Sequence, residues 1–151
     1  MSKKEKIKIS STLENLRDAR EFVRGKAIKC GLNENEANKI ALAADEACAN
    51  LIKHTYNYDE TKEIRLTAEK RGDSLIIEIF DDGSPFDPLQ ISQPNMKKYI
   101  REYKRGGFGI YLIKSVMDEI EYYPSKSENG ENVLRLTKKI NERDSLIPTD
   151  S

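Results

Sequence analysis

Two alternating stretches constrain this chain more than any other feature. Residues 62–71 (KEIRLTAEKR) and 74–81 (SLIIEIFD) place apolar side chains at every second position, with Gly72-Asp73 between them. Alternation marks strands with one buried face, and a two-residue Gly-Asp break marks a hairpin. Such a pair folds as antiparallel sheet lying on a core. Residues 119–124 and 132–140 read as a second hairpin around Glu128-Asn129-Gly130, and residues 5–11 (EKIKISS), with Ile7 and Ile9 on one side, as a short strand.

Helical spacing fills the gaps. Leu13, Leu16, Ala19, Val23 and Ala27 recur at helical intervals up to Gly31, the expected C′ residue. Ser11 and Glu14 fit a capping box at its start. Asn33 and Glu36 repeat that signal for a second helix running to about Tyr56. Residues 95–104 are weakly helical and 108–117 clearly so. The order is strand, two helices, two strands, helix, two strands. That order predicts an α+β, two-layer α/β sandwich with a mostly antiparallel sheet and the helices on one face. One domain is expected over residues 5–140, with 141–151 as a flexible C-terminal tail.

Charge narrows the function classes. The 151 residues hold 26 Lys and Arg against 26 Asp and Glu, a net charge of zero. That balance argues against a general nucleic-acid or membrane-surface binder. No apolar run approaches the length of a membrane span, and MSKKEKIKISS lacks the apolar core of a signal peptide. Cys30 and Cys48 have no paired spacing, which suits a reducing compartment. The expectation is a soluble, cytoplasmic domain.

Three segments carry possible chemistry. In the second helix Glu46, Asn50 and Lys53 are four and three residues apart, sharing one face bordered by Ala43, Ala44, Ala47, Cys48 and Leu51. A base, a metal ligand and a phosphate contact would be stacked there; an ordinary amphipathic helix with a solvated lysine explains the same residues. Asp81-Asp82-Gly83-Ser84-Pro85-Phe86-Asp87-Pro88 ends a strand, where Asp81 has the chemistry to accept from an exocyclic amine. Any tight turn also uses these residues. Arg105-Gly106-Gly107-Phe108-Gly109 opens an apolar helix, where glycines allow close backbone approach and the helix end favours phosphate. A flexible joint before a core helix is the plainer explanation. The segment is neither a Walker loop nor a dinucleotide fingerprint.

Taken in order, DEACANLIKHTY, FDDGSPFDP and RGGFGIYLIKSVMDEIEYY resemble the N, G1 and G2 boxes of the histidine-kinase-like (GHKL) ATPases. Pro-Phe-Asp-Pro after the short G1 box, and NGENVLRLTK near the end, resemble the stand-alone anti-sigma-factor serine/threonine-protein kinases. The resemblance spans roughly residues 5–140 and implies a Bergerat fold with a mixed, mostly antiparallel sheet. It implies that Glu46 activates the attacking hydroxyl, Asn50 holds Mg²⁺ and Lys53 contacts phosphate. It assigns Asp81 and Gly83 to adenine, and Gly107, Phe108 and Gly109 to the phosphate loop. Pro85 stands where the wider superfamily has a second Gly. Near Gly130, where relatives often offer Thr to adenine, the chain has Glu131 and Asn132. His54, the single histidine, is expected as packing rather than as a phosphoacceptor.

Residues 89–105 hold Lys97, Lys98, Arg101, Lys104 and Arg105 against Glu102, a net +4 in a neutral chain. That excess suits a lid over a triphosphate, with Arg105 placed to reach the γ-phosphate; a solvated basic loop is the alternative. The implied function is an Mg·ATP-dependent kinase that phosphorylates a STAS-type anti-anti-sigma partner and sequesters a sigma factor. An ATP-dependent binding switch without turnover shares every box except the base, and a detached sensor-kinase catalytic domain is a third reading. The sheet face bearing Glu63, Arg65, Thr67, Ile76, Glu78 and Phe80 permits a homodimer.

Overall fold

The computed structural model describes residues 3–85, 109–127 and 130–140. Five strands form one sheet: β1 (Glu5–Ser10), β2 (Glu63–Arg71), β3 (Ser74–Asp81), β4 (Glu119–Tyr123) and β5 (Asn132–Lys139). Their spatial order is β1-β2-β3-β5-β4, and every neighbouring pair described is antiparallel. Among the described residues three α-helices, α1 (Leu16–Lys29), α2 (Glu34–Asn50) and α3 (Gly109–Val116), complete the α+β sandwich.

Strand parity sets the core. Ile64, Leu66 and Ala68 of β2, with Leu75, Ile77 and Ile79 of β3, are all buried toward the helices. Cross-strand pairs Ile79↔Leu134 and Ile77↔Leu136 extend that layer onto β5. The hairpin forms at Gly72, whose φ of +56° meets the left-handed requirement of a two-residue turn. On the outer face Arg65 lies over the Phe80 ring at 4.0 Å and Arg135 pairs with the buried Glu78 at 2.9 Å. Phe80 on that face is therefore partly covered from within the chain.

Helix α2 is central, packing against α1 on one side and α3 on the other. Its alanines explain how: Ala37, Ala41, Ala43, Ala44, Ala47 and Ala49 are all buried, and side chains this small let helices approach on two sides at once. Asn33 caps α2, its side-chain oxygen accepting from the Glu36 backbone N–H at 2.8 Å. At the end of α1, Gly31 has φ +101°, while Leu32 N–H donates to Ala27 O and Gly31 N–H to Ile28 O. That is a Schellman motif.

Three expectations change. The capping box at Ser11 is absent: Thr12 precedes a 3-10 turn (Leu13–Asn15), α1 begins only at Leu16, and neither start has a side-chain cap. Ser11 follows the inward parity of Ile7 and Ile9, so its hydroxyl is fully buried and has no partner among the described residues. The second helix does reach the neighbourhood of Tyr56, but its last turn, Leu51–Thr55, is π-helical, with Tyr56 N–H donating to Leu51 O at 2.7 Å. His54 on this turn is exposed rather than packed. The weak helix at 95–104, the lid at 89–105 and the tail at 141–151 lie outside the described residues.

Ser11→Ala removes a buried hydroxyl that makes no bond among the described residues, so urea denaturation should show unchanged stability or a gain of up to about 1 kcal/mol. A loss of about 1 kcal/mol, the size of a deleted N-cap, would contradict the assignment.

Candidate functional site

A small cleft of about 40 Å³, open to solvent, lies between the C-terminal end of α2 with its π turn and the strands β3, β5 and β4. Ala47, Leu51, Ile79, Ile113 and Leu134 give it apolar walls, while Asn50, Thr55, Asp81 and Tyr122 bring polar groups. Apolar walls with a few convergent polar atoms suit a flat, partly polar small molecule. Asn50 and Asp81, distant in sequence, both line it.

Asp81 is the best-defined polar residue of the cleft. It ends β3 and is only 5% exposed. Its Oδ1 accepts from Gly83 N–H and from Asn132 Nδ2, each at 2.9 Å. Burial pushes its carboxyl above the ordinary aspartate value, opposed by these two donors and reinforced by Asp82 and Glu131. A Cβ at Gly83 would collide with Thr55 Cγ2 and stand 3.3 Å from Asp81 Oδ1, so any side chain there forces Thr55 to shift. Tyr56, after the π turn, steadies the next residue: its hydroxyl lies 2.9 Å from both Asp82 Oδ1 and Asp82 N, and 3.0 Å from Glu63 O.

Along α2, Glu46 and Asn50 sit one turn apart, Asn50 on the cleft wall and Glu46 beyond it. Neither side chain has a hydrogen-bond partner among the described residues. Glu46 is half-buried, and desolvation, then Asp45, raise its carboxyl above the usual value while Lys53 lowers it. Asp45 itself is held by Arg20 of α1 at 2.8 Å. Lys53 falls on the π turn, within electrostatic reach of Glu46 but off the cleft wall. Of the glycine-rich segment, Gly109 opens α3, which delivers Ile113 to the cleft; Arg105, Gly107 and Phe108 lie outside the described residues.

The comparisons with known proteins converge. Residues 9–138 match the family model described as "Histidine kinase-like ATPase domain". The chain belongs to this family. Relatives include the serine-protein kinase RsbW of Halalkalibacterium halodurans, 32% identical over 77% of this chain and 70% of the relative. The serine/threonine-protein kinase BtrW of Bordetella bronchiseptica is 26% identical over 90% and 94%. RsbW of Bacillus licheniformis is 32% identical over 64% of this chain, and the match spans 62% of that protein's length. A crystal structure of the RsbU and RsbW domains of Rv1364c from Mycobacterium tuberculosis superposes over 99% of this chain and 35% of that one. Its TM-score is 0.65 at 17% identity, a likeness of fold. Within the histidine kinase-like ATPases, the chain is similar to proteins named as serine-protein and serine/threonine-protein kinases.

For this family member the motifs located Asn50, Asp81 and Gly83, but three neighbours escaped them. Thr55 and Tyr56 read as helix end, and Asn132 as a departure from the family pattern. Asn132 faces Asp81 in register across β3 and β5, a pairing 51 residues apart that no local pattern reveals. Gly83→Ala should destabilise the protein by about 1–3 kcal/mol through overpacking against Thr55. Thr55→Ser in the same chain removes the offending methyl and should recover part of that loss. Strict additivity of the two changes in a denaturation cycle would refute the contact.

Proposed function

We propose that this protein is an Mg·ATP-dependent serine/threonine-protein kinase acting as a cytoplasmic anti-sigma factor in a partner-switching system. It phosphorylates a STAS-type anti-anti-sigma partner and sequesters a sigma factor. The observation that carries the nucleotide assignment is Asp81: a buried carboxylate on the wall of an apolar cleft, held through Oδ1 alone. Oδ2 accepts no bond among the described residues and is suited to a purine's exocyclic amine.

The chain's own groups divide the remaining work. Asn50 offers an unengaged amide oxygen on the cleft wall. Among the described residues no three His, Cys, Asp or Glu side chains cluster as a metal cage. This donor set fits Mg²⁺, which is commonly held by few protein oxygens together with substrate phosphates and waters. Bound there, the ion would neutralise phosphate charge. Glu46 is placed to take the proton of the attacking serine or threonine hydroxyl. The hydroxyl oxygen forms a bond to the γ-phosphorus, the bond from that phosphorus to the β–γ bridging oxygen breaks, and ADP leaves. Desolvation and Asp45 make Glu46 a stronger base than a solvated carboxylate. Lys53, Arg105, Gly107, Phe108 and Gly109 are assigned to the phosphates. The outer sheet face, bordered by Arg65 and Phe80, is the surface assigned to a homodimer.

Glu46→Gln keeps the shape of the side chain and removes the base. Transfer of ³²P from ATP to a STAS-domain substrate should fall by roughly 10²–10⁴-fold, with ADP affinity largely unchanged. Full activity in the variant would remove Glu46 from the mechanism. Nucleotide binding by the wild type without transfer to any STAS protein would favour a binding switch over a kinase.

A further inference from the structure

Asn132 is 1% exposed, and both hydrogens of its amide and its amide oxygen have protein partners. Nδ2 donates to Asp81 Oδ1 and to Gly83 O, each at 2.9 Å, and Oδ1 accepts from Ser125 N–H at 2.8 Å. These partners fix the amide's orientation, because the flipped form would set oxygen against two oxygens. Asn132 thus has no hydrogen of its own left for a ligand. It acts through Asp81.

We propose that Asn132 is a positioning residue that sets the purine preference of the cleft: by saturating Asp81 Oδ1 it keeps Oδ2 a pure acceptor, which selects a 6-amino purine over a 6-oxo purine. This inference rests on the nucleotide assignment above. An ionised carboxylate accepts from the 6-amino group of adenine and repels the 6-oxygen of hypoxanthine. A neutral carboxyl accepts from the first through its carbonyl and donates to the second through its hydroxyl, so it discriminates poorly. Burial of Asp81 favours the neutral form, as do the negative charges of Asp82 beside it and Glu131 before β5. The Tyr56 hydroxyl, from the end of the π turn, is engaged with Asp82 instead. The donors opposing neutralisation are Asn132 Nδ2 and Gly83 N–H, and the first is a side chain, open to substitution.

The test is calorimetric titration of the full chain with ADP and with IDP, between pH 6 and 8. A hydrogen bond to a charged group is worth roughly 10–100-fold in affinity, so the wild type should prefer ADP by about that factor. Asn132→Ala should lower ADP affinity about tenfold and bring the ADP-to-IDP ratio to within about threefold, with IDP binding strengthening as pH falls. Equal losses for both nucleotides, with the ratio kept, would mark a purely structural residue and overturn the inference. Should Asn132→Ala fail to melt cooperatively, Asn132→Asp carries the test. It keeps the volume and sets two carboxyls to share a proton, so its ratio should fall steeply with decreasing pH; a ratio matching the wild type at every pH would overturn the inference. A wild type that binds neither nucleotide would overturn the nucleotide assignment itself, and this inference with it.

Discussion

The hydrogen bond from Asn132 Nδ2 to Asp81 Oδ1 joins the sheet to the cleft, and it exists only in one strand register. Ile77↔Leu136 and Ile79↔Leu134 lock β3 to β5 through buried apolar pairs, which brings Asp81 opposite Asn132 at the next inward position. A slip of one residue would turn Ile77, Ile79 and Asp81 together onto the outer face. Because the core resists that slip, the polar pair is held without further specification. The same bond and its companion to Gly83 O tie the turn after β3 to the sheet. Asp81 therefore presents one occupied and one open oxygen on a rigid frame, which is what selective recognition of a small donor group requires.

The helical layer supplies the opposite wall under a different constraint. Helix α2 lies between two other helices and above the sheet, and its alanines permit that crowding. At its end the backbone leaves the α ladder for a π turn, a feature that frequently marks functional sites. This turn carries Thr55 against Gly83 and delivers Tyr56 to Asp82. Two left-handed residues, Asn57 and Tyr58, then reverse the chain toward β2. The irregular segment thus packs directly on the turn that follows β3, and changes in either are felt by the other.

Much of this was legible in the sequence. Alternation in KEIRLTAEKR and SLIIEIFD and the Gly72 turn are local signals, and they placed β2, β3 and their inward faces. Asn33 and Gly31 announced a helix start and a helix end by capping chemistry alone. Ser11 failed as a cap because strand parity, a tertiary demand, outweighed a local preference. The π turn was hidden because its residues also suit an α-helix. In the site, Asn50 and Asp81 were found by motif order and spacing. Asn132 was not, because its role depends on a pairing across 51 residues and on an amide whose three partners lie in two distant segments.

The central claim is that the cleft beside Asp81 receives a purine through the open carboxylate oxygen. A crystal structure of the protein with ADP and Mg²⁺ tests it most directly. The account places the 6-amino nitrogen within about 2.7–3.2 Å of Asp81 Oδ2, with Asn132 Nδ2 still on Oδ1 and the ring against Ile79 and Ile113. A nucleotide bound elsewhere, or a base in this cleft that leaves Asp81 Oδ2 to water, would contradict it.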